Sequence, residues 1–97
     1  MLDLKKLLTK ILTKVSNEAI SGSLVDTTSS NGWILLKHNN AYVSYNDYEV
    51  ISTYNNGKVL IPFVSGGIWY VKACEYGTMA SVNNTQLTVY YTLRKKA

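Results

Sequence analysis

The sequence predicts a mainly β protein with one N-terminal α-helix: an antiparallel β-sandwich or barrel-like domain preceded by an amphipathic, bundle-forming helix. Three observations lead there. Apolar residues recur at alternating spacings of three and four through residues 1–20. The apolar period then switches to two from Trp33 onward. Turn signals containing Asn and Gly punctuate that second region at short intervals. The expected organisation is an oligomerisation helix over 1–20, a linker or loop over 21–32, and an antiparallel β-domain over 33–97.

In MLDLKKLLTKILTKVSNEAI, Met1, Leu4, Leu8, Ile11 and Val15 fall at the a and d positions of a short heptad run. Leu7 and Leu12 widen that seam, while Lys6, Thr9, Lys10 and Thr13 fall on the opposite face. An isolated helix of roughly 15 residues is marginal in water, so this one needs a partner. Leu8 at a with Ile11 at d favours trimers or tetramers over dimers. The seam Leu4, Leu8, Ile11 and Val15 therefore predicts self-association of the helix. The competing expectation is a monomeric carbohydrate-binding β-domain with the helix packed on its own sheet.

Residues 21–32, SGSLVDTTSSNG, are rich in Ser, Thr, Gly, Asn and Asp and read as the linker, with Leu24 and Val25 as the start of a short strand. Strands are then expected over 33–38 and 41–47, joined through Asn39-Asn40, since Asn tolerates the positive φ of a tight hairpin turn. The next pair, 48–54 and 58–64, meets across Asn55-Asn56-Gly57, a strong hairpin signal. Pro62 cannot donate to a ladder, which assigns it to an edge, a strand end or a bulge. Ser65-Gly66-Gly67 turns the chain into a strand over 68–76, and 77–85 is a longer loop. The strand over 86–93 alternates, with Leu87, Val89, Tyr91 and Leu93 on one face and Thr88, Tyr90 and Thr92 on the other.

The net charge of +4 is concentrated at the two ends: Lys5, Lys6, Lys10 and Lys14 near the start, Arg94, Lys95 and Lys96 near the finish. The body between them is about neutral, which argues against nucleic acid as a partner. No stretch is apolar enough to span a membrane, and no signal peptide is visible. Cys74 is the only cysteine, so neither a disulfide within the chain nor a cysteine metal motif is expected. His38 is the only histidine, and no nucleophile or carboxylate sits at a spacing that suggests a triad. Asp47 and Glu49 would share a strand face rather than oppose each other across a cleft. The expectation is a protein that is not an enzyme and uses no metal or cofactor.

The aromatic residues carry more information. Trp69-Tyr70 and Tyr90-Tyr91 are adjacent pairs, so alternation sends one ring of each pair outward. Outward rings are expected to pack on a neighbouring subunit, to stack on a sugar, or to stand exposed to solvent. Exposure near turns singles out Trp33, His38, Asn39 and Tyr42, with the 77–85 loop, as the expected ligand surface.

The segments LDLKKLLTKILTK (2–14), GWILLKHNNAYVSY (32–45), IPFVSGGIWYVKACEYG and QLTVYYTL, in that order, span most of the chain. Together they resemble small tail-fibre, tail-tip or head-fibre proteins of bacteriophages and prophages of Gram-positive gut bacteria. The resemblance implies a homotrimeric structural protein of the virion, made in the host cytoplasm without a signal peptide. It further implies contacts with other virion proteins, and β-domains that bind a host-surface glycan or protein receptor.

Overall fold

The computed structural model describes residues 18–96, and every regular element within them is a β-strand. The strands are β1 (Ala19–Thr27), β2 (Trp33–Leu35), β3 (Lys37–His38), β4 (Ala41–Tyr42), β5 (Tyr48–Tyr54), β6 (Lys58–Ser65), β7 (Ile68–Glu75) and β8 (Gln86–Lys95). They form two antiparallel three-stranded sheets, ordered β1-β8-β5 and β2-β7-β6, and a two-stranded ribbon, β3–β4.

The mixed fold class expected from the sequence is corrected by this architecture. The described residues are all-β and contain no helix. Ala19 and Ile20, expected to end the helix, begin β1, and the expected linker continues that strand as far as Thr27. Leu4, Leu8, Ile11 and Val15 lie outside the described residues.

β1 pairs with β8 over nine consecutive residues, from Ala19↔Arg94 to Thr27↔Gln86. A period of two is present in it: the half-buried Ile20, Gly22, Leu24 and Asp26 alternate with exposed neighbours. A glycine and a carboxylate at two of the four inner positions erase the hydropathy signal. Gly22 has a packing cause. It lies directly opposite Tyr91, and a Cβ there would sit 2.5 Å from Tyr91 Oη and 2.7 Å from Cζ. The ring of Tyr91 therefore fills the space a side chain at position 22 would need, as aromatics do across strand glycines.

The core is shared by both sheets. β8 contributes Leu87, Val89, Tyr91 and Leu93. Facing them are Ile34, Leu36, Leu60, Val71 and Ala73, with Val43 and Val82 inserted from the connections. The expected strand over 33–38 is interrupted at Leu36, which is fully buried. Its N–H donates to Trp69 C=O at 3.1 Å and its C=O accepts from Val43 N–H at 3.2 Å, so the chain leaves the sheet there to form the ribbon. The expected strand over 41–47 shortens to β4, because Ser44 Oγ donates to Asp47 Oδ2 at 2.8 Å and closes a turn. Asn39 and Asn40 both take positive φ, 52° and 63°, as a two-residue turn between β3 and β4 demands. β5 carries a bulge between Val50 and Ser52.

Gly22→Ala is expected to lower stability by about 1–3 kcal/mol, the usual cost of overpacking. Urea denaturation checks this, and an unchanged midpoint would mean that Tyr91 repacks freely.

Candidate functional site

Strand alternation gives the two sheets unlike outer surfaces. On the β1-β8-β5 sheet the outward row across the strands is hydroxylic, with Ser21, Ser23, Thr88, Thr92 and Ser52 among its members. Tyr54 and Tyr90 lie directly opposite each other on the same face. The β2-β7-β6 sheet turns out an apolar, aromatic surface instead. Cross-strand register sets Trp33 beside Lys72 and Ile61, and Leu35 beside Tyr70 and Phe63.

Three of these rings hold one another. Phe63 and Tyr70 stack at 5.6 Å with their planes 20° apart. Trp33 meets Phe63 edge-on at 4.8 Å and Tyr70 at 5.6 Å. Trp33 remains 37% exposed and Ile61 41%. Lys72, between them, donates from Nζ to the Asn31 C=O and to Ser81 Oγ, the latter at 2.8 Å. The single Ser81 hydroxyl proton is shared between the Asn31 C=O, at 3.2 Å, and Asn83 Oδ1. The result is an aromatic platform with an ammonium fixed at its side and a rim of amide and hydroxyl groups from the 77–85 loop.

The β3–β4 ribbon builds a second, polar surface. Its tip residues Lys37–Asn40 face Ser21–Asp26 of β1 across a cleft of about 640 Å³. His38 Nδ1 lies 2.9 Å from Tyr91 Oη, and Asn39 Nδ2 approaches His38 Nε2 at 3.4 Å. Tyr42 is 60% exposed, and Lys37 Nζ stands 5.9 Å from the centre of its ring.

Of the ligand surface expected from the sequence, His38 and Asn39 line this cleft, with Tyr42 next to Lys37 across the ribbon. Trp33 belongs to the platform on the other sheet. Phe63, Tyr70 and Lys72 were missed as its companions. The signal available for them was the i, i+2 spacing of Ile61 with Phe63 and of Tyr70 with Lys72, which puts each pair on one strand face.

Among the described residues, no three His, Cys, Asp or Glu side chains stand close enough to hold a metal ion. Also among them, no helix is long and apolar enough to cross a membrane. Cys74 is buried.

Burial raises the Tyr91 hydroxyl above its usual value of 10.0. The folded state therefore keeps its proton at pH values where the unfolded chain has released it. The stability this carries is complete below pH 10 and is lost as pH rises through the folded-state value. Tyr91→Phe is expected to cost about 1 kcal/mol at neutral pH through the lost His38 hydrogen bond. It should also flatten the alkaline decline in melting temperature; an identical decline would assign that loss to other groups. No protein-family model, curated protein or solved structure matches the chain.

Proposed function

We propose that this protein is a non-enzymatic adhesion module of a phage fibre or tail tip, present in several copies, that binds a host-surface glycan on the Trp33 platform. One observation carries the reading. Trp33, Phe63 and Tyr70 are packed against one another on an outward sheet face, beside an ammonium held in place by Asn31 and Ser81. A sugar ring has apolar C–H faces and a polar hydroxyl rim. The faces stack on aromatic carbon, and the rim takes hydrogen bonds from donors such as an ammonium or an amide. Both kinds of partner are present at this surface.

Rigidity favours the same reading. The rings stand on three paired strands, so little side-chain or loop ordering is left to oppose binding. A single shallow platform binds weakly, and several copies on one particle convert weak contacts into firm attachment. The virion setting draws its support from the resemblance in sequence, and the glycan from the platform.

Trp33→Ala is expected to weaken binding to purified host cell-wall polysaccharide about tenfold, the equivalent of roughly 1.4 kcal/mol. Lys72→Met should weaken it less. Isothermal titration or retention on immobilised polysaccharide measures both, with circular dichroism verifying the fold. Equal binding by wild type and Trp33→Ala would remove the platform from the function.

A further inference from the structure

An accounting of strand edges singles out β1. In β6, the Leu60 C=O on the outer edge accepts from Thr53 Oγ1 at 3.1 Å, and Pro62 has no N–H to offer. In β5, the Tyr48 N–H donates to Ser44 C=O at 3.0 Å and its C=O accepts from Trp69 Nε1 at 3.0 Å. In β2, the Trp33 N–H donates to Ser29 Oγ at 3.1 Å and its C=O accepts from Ser29 N–H at 2.9 Å. Each of these edges is short, bulged, proline-bearing or occupied, which are the usual protections against strand addition.

β1 differs. The Thr28 N–H donates to Thr85 C=O at 2.8 Å, one step beyond the last ladder pair. Hydrogen-bonded and non-bonded pairs alternate in an antiparallel ladder. Ile20, Gly22, Leu24 and Asp26 therefore direct their backbone groups to β8, and Ser21, Ser23, Val25 and Thr27 direct theirs to the free edge. Thr27 agrees with this phase, since its N–H is taken by Asp26 Oδ1 at 2.8 Å. Among the described residues, no backbone partner meets Ser21, Ser23 or Val25 along that edge. The edge is regular and free of Pro and Lys. The cleft runs along the same six residues, Ser21–Asp26, or about 17 Å of strand.

We propose that two copies of this chain associate through β1, antiparallel about a two-fold axis at Ser23, joining their β1-β8-β5 sheets into one. In this register Ser23 pairs with Ser23 of the second copy, and Ser21 with the second copy's Val25. About six backbone hydrogen bonds result. The strand is self-complementary there. Gly22 faces Leu24 and Asp26 faces Ile20, so no like charges meet. The second copy's Gly22 and Leu24, opposite Leu24 and Gly22, face the cleft. The Trp33 platform lies on the other sheet of each copy and stays free.

Light scattering on the full chain tests the pairing. Wild type is expected at twice the 10.8 kDa chain mass at high micromolar concentration. Ser23→Pro removes an N–H that β8 does not use, and Ser23→Lys sets two ammonium groups against each other across the axis. Both should run as monomers with wild-type circular dichroism, and salt should partly restore the Ser23→Lys dimer. Hydrogen exchange in the wild type serves where a variant fails to fold: the Ser21, Ser23 and Val25 amides should gain protection on concentration. A wild type that stays monomeric, an oligomer whose mass survives folded Ser23→Pro, or edge amides that exchange fast at every concentration would each overturn the proposal.

Discussion

The ladder between β1 and β8 is the constraint on which the rest of the fold depends. β8 is the middle strand of its sheet, and it is satisfied only when β1 lies on one side and β5 on the other. Once it is held there, alternation buries Leu87, Val89, Tyr91 and Leu93 together. The same ladder explains the glycine of β1, because Tyr91 lies across it. It also ties the ribbon to the sheet, because Tyr91 Oη meets His38.

The two outer faces of the sheets have opposite surface chemistry. A hydroxylic sheet face stays wetted and keeps neighbouring molecules from sticking without specificity. An aromatic face has the opposite property and needs a partner with apolar C–H surface. Both arise from the two-residue period of antiparallel strands, which lets one side of a strand serve the core while the other side is chosen freely. The core cost of this arrangement is small, since Trp33, Phe63 and Tyr70 shield one another while still leaving Trp33 accessible.

Much of the β-domain was legible in the sequence. The strands β5, β6, β7 and β8 lie within one or two residues of their expected bounds, because the period of two holds there. The hairpin expected across Asn55-Asn56-Gly57 is corrected: β5 pairs with β8 and β6 with β7, so that turn carries the chain from one sheet to the other. The outward and inward assignments of Tyr90 and Tyr91 follow from alternation alone. β1 was not legible. Its inner row reads Ile20, Gly22, Leu24, Asp26, and the reason for the glycine is a tyrosine about seventy residues away. A long-range packing partner of that kind leaves no local trace. The helix pattern of residues 1–20 likewise extended into Ala19 and Ile20, where pairing with β8 prevails over the local period. For the site, exposure near turns found Trp33 and His38 but not that they serve different surfaces. That separation depends on the break at Leu36, which a run of apolar residues conceals.

The wide sequence separation across the β1–β8 ladder also bears on how the chain reaches its structure. The hairpin β6–β7 joins neighbours and can close early, within the microsecond range of local turns. The sheet built around Leu87, Val89, Tyr91 and Leu93 cannot. Its middle strand is the last one synthesised among those described, and its partner β1 is the first. During translation β1 therefore waits with Ile20 and Leu24 uncovered, until residues 86–95 have emerged. High contact order of this sort slows folding and prolongs the lifetime of exposed edges. A Ser- and Gly-rich strand, poor in aggregation-prone runs, is well suited to that wait.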